Sequence, residues 1–249
     1  MQEKIESLKL GLQEQGYIAD EAAATVLYLV EALDKPVLVE GPAGVGKTAI
    51  AQAFARLKQV PLIRLQCYEG IDEARAIYEW NYKKQLLHIQ AVAGRQLEIA
   101  EVEKQIFAEE FLLVRPLLQA ITSPTKSCLL VDEIDKVDFE FEALLLELMS
   151  EFQITLPELG TIKAQHIPYI FLTSNATREL SEALKRRCLF LYLDYPDPQR
   201  EMQVLQLKVP NLSNRLAEQL ATTLEQLRTF KLRKPPSIAE GIDWAVALL

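Results

Sequence analysis

VLVEGPAGVGKT, residues 37–48, is an apolar run that breaks into glycines at Gly41, Gly44 and Gly46 and closes on Lys47 and Thr48. A short, uninterrupted apolar run predicts a strand covered on both faces. The glycines predict a turn in which bare backbone N–H groups can wrap an anion, and residues 48–57 then take up helical spacing. Strand, loop and helix in this order satisfy GxxxxGK[ST], in which Gly41, Pro42, Ala43, Gly44, Val45, Gly46, Lys47, Thr48 and the adjoining Ala49 enclose phosphates at a helix N-terminus. In that reading Lys47 reaches the β- and γ-phosphates and Thr48 offers a hydroxyl to Mg²⁺, so the implied cofactors are ATP and Mg²⁺. The competing reading is a glycine-rich turn with no ligand.

Working outward from this run at residues 36–40, further short apolar runs at 62–66, 128–131, 169–173 and 189–193 predict the other strands of one parallel sheet. Helical patterns at 48–57, 96–121, 140–152 and 179–186 alternate with them. This predicts an α/β layer with right-handed crossovers, helices sandwiching the sheet. Asp20 is expected to cap a helix over 21–33, preceded by a weaker one around 5–12. FQITLPELGTIKA, residues 152–164, alternates apolar residues about a Pro-Glu-Leu-Gly turn and predicts an inserted β-hairpin. After Pro196 only helices are expected, at 198–207, 212–227 and 238–249, joined by Pro210 and the Pro235-Pro236 pair. The boundary falls near Tyr195, giving an α/β unit over 1–195 and a small all-helical lid over 196–249.

Three stretches add chemistry to the loop. In CLLVDEID an apolar strand ends in Asp132, which places a carboxylate at the sheet's carboxyl edge, where it can hold Mg²⁺ through water, and leaves Glu133 to polarise a water against the γ-phosphate. The plainer reading, that acids here cap the next helix, applies to Asp135 and Asp138. YIFLTSN ends another strand with Thr173, Ser174 and Asn175; the Asn175 amide can report the γ-phosphate or cap a following helix. EALKRRC places Arg186 and Arg187 at a helix end, where arginines ordinarily meet the helix dipole at about 0.3–1 kcal/mol. Aimed at a neighbouring molecule's γ-phosphate, one would accelerate hydrolysis by about 10³ or more.

Composition bounds the partners. With 249 residues, 49% of them hydrophobic, the chain is long enough for one large domain, or for a large domain with a small one. A net charge of −8 disfavours a nucleic-acid surface. No apolar stretch reaches the length of a membrane span, and the amino-terminal MQEKIESLKL has no export pattern. Cys67, Cys128 and Cys188 have neither CxxC spacing nor a disulfide pattern, and His88 and His166 have no companions at metal-ligand spacing. A reduced, cytoplasmic protein is expected.

GPAGVGKT, LLVDEID, a hairpin before TSN, ALKRRC and a helical tail, in that order, resemble AAA+ ATPases. IRLQCYEGIDEARAIYEWNY, FLLVRPLLQAI and VDFEFEALLLELMSEFQITLPELGTI narrow the likeness to the MoxR branch, in particular the group accompanying von Willebrand factor A-type partner proteins in metalloenzyme maturation. The resemblance covers residues 36–196 well and the ends more weakly. It implies Lys47 and Thr48 as Walker A, Asp132 and Glu133 as Walker B, Asn175 as first sensor, and Arg187, with Arg186 a close second, as an arginine finger acting on the adjacent subunit of a homo-oligomeric ring, usually a hexamer. It also implies an ATP-hydrolysing remodeller or chaperone acting on a protein client. RKPPSIAEGIDWA departs from the family: Pro236, Ser237 and Ile238 stand where a second-sensor arginine is expected, leaving Arg233 or Lys234 as substitutes. Two rivals are an ATP-dependent interaction switch with negligible turnover and a DNA-associated loader, the latter opposed by the acidic composition.

The remaining features have ordinary explanations. Tyr78 to Tyr82, YEWNY, is either a partner-facing cluster or a set of rings packed against the protein. Glu98, Glu101, Glu103, Glu109 and Glu110 are expected on a solvated helix face opposite Ile99, Val102, Ile106 and Leu113.

Overall fold

A computed structural model describes residues 1–92, 99–157, 159–230 and 232–249. Helices α1 (Gln2–Glu14) and α2 (Glu21–Leu33) precede strand β1 (Val37–Glu40), and α3 (Lys47–Leu57) leads to β2 (Leu62–Gln66). Then come α4 (Glu73–Ala76), β3 (Tyr78–Trp80), α5 (Tyr82–Val92), α6 (Ile99–Ile106), β4 (Leu112–Val114), α7 (Pro116–Ile121) and β5 (Cys128–Asp132). Next are α8 (Phe139–Glu151), β6 (Gln153–Leu156), β7 (Gly160–Lys163), β8 (Tyr169–Ser174), α9 (Glu182–Arg187) and β9 (Leu189–Tyr192), followed by α10 (Pro198–Lys208), α11 (Asn214–Thr229) and α12 (Ile238–Ala247).

The five runs read as strands form one parallel sheet in the order β2-β5-β8-β1-β9. β5 and β8 are buried along their whole length, as strands covered on both faces must be. Alternation divides their side chains between two apolar layers. Leu38, Leu129, Val131, Ile170 and Leu172 meet α7, α8 and α9, whereas Val37, Val39, Leu130 and Phe171 meet α1, α2 and α3. Asp20 caps α2 as expected, accepting from the Ala23 amide at 2.7 Å. β6 and β7 form the expected hairpin, Ile154 opposite Ile162; Glu158 in its turn lies outside the described residues.

The helix expected over residues 96–121 is not continuous. Its start, with Glu98, lies outside the described residues; beyond α6, residues 109–111 make a 3₁₀ turn and residues 112–114 become β4, antiparallel to β3. Pro116 is the reason: it forces Arg115 into extended backbone (φ −105°, ψ 170°) and then starts α7 at its first position. Ile99, expected on a covered face, is exposed. The YEWNY rings divide: Trp80 is buried edge-to-face on Phe107 at 5.3 Å, and Tyr82 stands in solvent. The helix expected from residue 179 starts at Glu182, because Ser181 is its cap. Among the described residues no helix is long and apolar enough to cross a membrane.

Helices α10, α11 and α12 enclose an apolar cluster of their own, including Leu205, Val209, Ala217, Leu220 and Ala245. Beside it the Glu201 carboxylate, fully buried, is held by Arg228 through two bonds of 2.6 and 2.7 Å. The same guanidinium donates to the Pro236 carbonyl at 2.9 Å and lies 4.5 Å from the Tyr195 ring centre. Arg228→Ala would strand a buried charge, and is expected to lower stability by about 3–5 kcal/mol in a urea titration. The double change Glu201→Leu with Arg228→Met is expected to cost much less.

Candidate functional site

The carboxyl edge of the sheet is assembled from three adjacent strand ends. In register, Glu40 lies beside Ser174, and Val131 beside Leu172. β8 therefore brings Thr173, Ser174 and Asn175 between the glycine loop after β1 and the acids after β5. The Gly41 amide donates to the Ser174 carbonyl at 3.3 Å. A methyl on Gly41 would stand 1.9 Å from the Leu193 carbonyl oxygen, so no other residue fits where β1 passes into the loop. Gly44, at φ +77°, is as constrained: a methyl there would stand 2.4 Å from Ser237 Cβ at the start of α12.

Beyond the loop, α3 begins after Gly46 with no side-chain cap, which leaves its first amides to the concavity the loop encloses. Lys47 is buried, its Nζ donating to the Gly41 and Pro42 carbonyls at 2.6 Å each. Burial lowers its pKa, opposed by the carboxylates of Asp135, Asp132, Glu133 and Glu40.

Asp132, also buried, anchors the site. Its carboxylate accepts from Thr173 Oγ1 at 2.5 Å, and the Thr48 hydroxyl stands 3.0 and 3.2 Å from its two oxygens. Arg64, on the edge strand β2, donates to its Oδ2 at 2.5 Å. Two oxygen-bearing side chains side by side, with no cage of three His, Cys, Asp or Glu among the described residues, would fit Mg²⁺, a cation that keeps most of its waters and its nucleotide's phosphates.

Glu133 adopts a left-handed backbone (φ +60°), and its amide donates to Thr173 Oγ1 at 2.9 Å. The sequence suggests a free carboxylate; instead it pairs with Lys136 across one 3₁₀ turn. Asp135 caps no helix. It accepts from the Asn175 amide at 3.2 Å and from the Thr177 amide and hydroxyl at 3.1 and 2.6 Å, which ties the two loops together. Burial pushes the Asp135 pKa up, and the Thr177 and Asn175 hydrogen bonds more than offset this, leaving it below the usual range. Asp138 is the cap of α8. Asn175 caps nothing, since Ser181 caps α9, and its side chain makes no hydrogen bond among the described residues.

Arg186 and Arg187 are not brought to this site. Leu189, just beyond them, pairs with Val37, the first residue of β1, whereas the loop starts at Gly41. That separation is roughly 13 Å at about 3.3 Å per residue, too far for these side chains to close. Both are exposed; Arg187 donates to the Ser150 hydroxyl, and Arg186 has no hydrogen-bond or ion-pair partner among the described residues.

The family model for the AAA domain (dynein-related subfamily) matches residues 36–188, from the start of β1 through the arginines. The chain belongs to this AAA family. No curated protein matches it. The AAA domain binds nucleotide as a family property, and its edge contains more than the sequence disclosed. A cavity of about 200 Å³ opens beside Gly44 and Gly46, walled by Tyr17, Ile18, Leu193, Arg200 and Ile242. Arg200 joins its sides, donating to Asp20 at 2.6 Å and the Ile18 carbonyl at 2.9 Å. The local signal is an aromatic three residues before a helix cap, GYIAD; no spacing links it to residue 200. Arg233 and Lys234 do not line this cavity and are exposed on the connection before α12.

Proposed function

We propose that this AAA protein is an ATP hydrolase of the MoxR type, which binds Mg·ATP between the glycine loop and the helices after residue 196 and uses its hydrolysis to remodel a protein client. The observation that carries this is the convergence of Lys47, Thr48 and Asp132 at one edge of the sheet, next to a cavity of about 200 Å³.

In this reading the loop amides from Gly41 to Gly46 and the first turn of α3, Lys47 to Ala49, hold the phosphates. Lys47 exchanges its two loop carbonyls for phosphate oxygens. Thr48 and Asp132 would hold Mg²⁺, which when bound neutralises phosphate charge. Glu133 leaves Lys136 and takes the proton of the attacking water, an exchange made easy because a solvent-reached ion pair of this kind, half-exposed on both sides, is worth only about 1 kcal/mol. Asn175 hydrogen-bonds the γ-phosphate or that water, and Arg187, or Arg186 beside it, completes the site of the next subunit in a ring, a hexamer by family analogy. Residues 196–249 act as the lid. The MoxR resemblance supplies the finer expectation of a cytoplasmic role in metalloenzyme maturation with a von Willebrand factor A-type partner.

The ion pair of Glu133 with Lys136 favours a second reading, a switch that binds ATP to organise a complex and scarcely turns over. Steady-state phosphate release separates the two. The wild type is expected to exceed a Lys47→Ala control, which loses its phosphate contacts; a wild type no faster than that control makes the protein a switch.

A further inference from the structure

Arg64 belongs to none of the motifs. It lies on the edge strand β2, two residues before Gln66, which pairs in register with Asp132. Along the strand Ile63 and Leu65 are buried in the layer under α7 and α8, so Arg64 and Gln66 point to the opposite face, where the first turn of α3 carries Thr48. From there the guanidinium reaches over the carboxyl edge to Asp132 Oδ2 at 2.5 Å, while the same nitrogen donates to Gln66 Oε1 at 2.6 Å.

Three donors already crowd Asp132: Thr173 and Arg64 each engage one oxygen and the Thr48 hydroxyl lies against both, leaving about one acceptor site of four. An aspartate that serves a divalent ion through water must accept from that water. The oxygen best able to be released is Oδ2, because its cationic partner is half exposed (48%) and has a second acceptor in Gln66, whereas Thr173 is buried. A guanidinium and a divalent ion beside one carboxylate also repel each other.

We propose that Arg64 is a placeholder cation for the metal site: it holds the Asp132 carboxylate in position, yields Oδ2 to the waters of the incoming ion by falling back on Gln66, and so sets how tightly the ion binds. This rests on the Mg·ATP reading above.

The test uses the whole protein in excess over ATPγS, with Mn²⁺ as the probe and its free-ion EPR signal as readout. Arg64→Gln removes a charge-assisted bond that competes with the ion, and is expected to lower the Mn²⁺ dissociation constant about tenfold, with Arg64→Lys within about twofold of wild type. Nucleotide affinity in EDTA is expected to stay the same in both. Unchanged or weaker Mn²⁺ binding by Arg64→Gln overturns the proposal, and so does a loss of ATPγS affinity in EDTA, which would make Arg64 a phosphate ligand. Thr48→Ala and Asp132→Asn separate the two levels. If they weaken Mn²⁺ while Arg64→Gln has no effect, only the role of Arg64 falls; if neither weakens it, the metal site itself is misassigned.

Discussion

Arg187→Ala is expected to bind ATP with unchanged affinity and to release phosphate about 10³-fold more slowly, the scale on which a guanidinium supplied by a neighbour acts on a γ-phosphate. The basis is its position. Arg187 sits at the amino end of β9 while the glycine loop sits at the carboxyl end of β1, so within one chain the two cannot meet. Among the described residues Arg187 only donates to Ser150 on α8, an exposed contact worth about 1 kcal/mol, so thermal stability should scarcely change. Arg186→Ala is the comparison, expected to have the smaller effect. Mixing decides whether the site is shared: Arg187→Ala subunits blended with subunits carrying Glu133→Gln should regain part of the lost turnover, because each kind supplies what the other lacks. A blend no faster than its components would remove the shared site.

Glu133→Gln is expected to retain ATP and slow its hydrolysis by about 10²–10⁴-fold, the usual contribution of a positioned base. Gln keeps the size and the backbone bond of the Glu133 amide to Thr173, so what is lost is the proton acceptor and the ion pair to Lys136. Single-turnover phosphate release with prebound ATP reads the chemical step alone. Unchanged turnover would mean that the base lies elsewhere. Full binding with negligible turnover in both wild type and Glu133→Gln would mean that the Lys136 pair is never broken and that the switch reading holds.

The parts of this molecule legible in the sequence are those where adjacent residues do one job. CLLVD reads as a buried strand ending in an acid because burial and chemistry are contiguous, and the strand is buried throughout. The glycine loop reads for the same reason. Residues 96–121 did not: a helical spacing of apolar residues spans them, but the Arg115-Pro116 pair overrides it locally and β3 supplies a pairing partner from residues 78–80. Arg64 was illegible because its partner lies across a strand pair, and Arg200 because only tertiary packing brings it to Ile18 and Asp20. Lys136, three residues from Glu133, was within reach of a sequence reading, yet it matters only because the 3₁₀ turn points both side chains the same way.

Ser237 at the head of α12 rests against Gly44 with no room for a single methyl between them. Its hydroxyl and the Glu240 carboxylate lock the first turn of that helix reciprocally, so the head of α12 is stiff. A stiff rod seated on a glycine would act as a pushrod if the seat moved, and its far end, around Ala245, lies in the apolar cluster it shares with Leu205 and Leu220. Pro236, Ser237 and Ile238 thus meet the glycine loop through a contact that needs no charge.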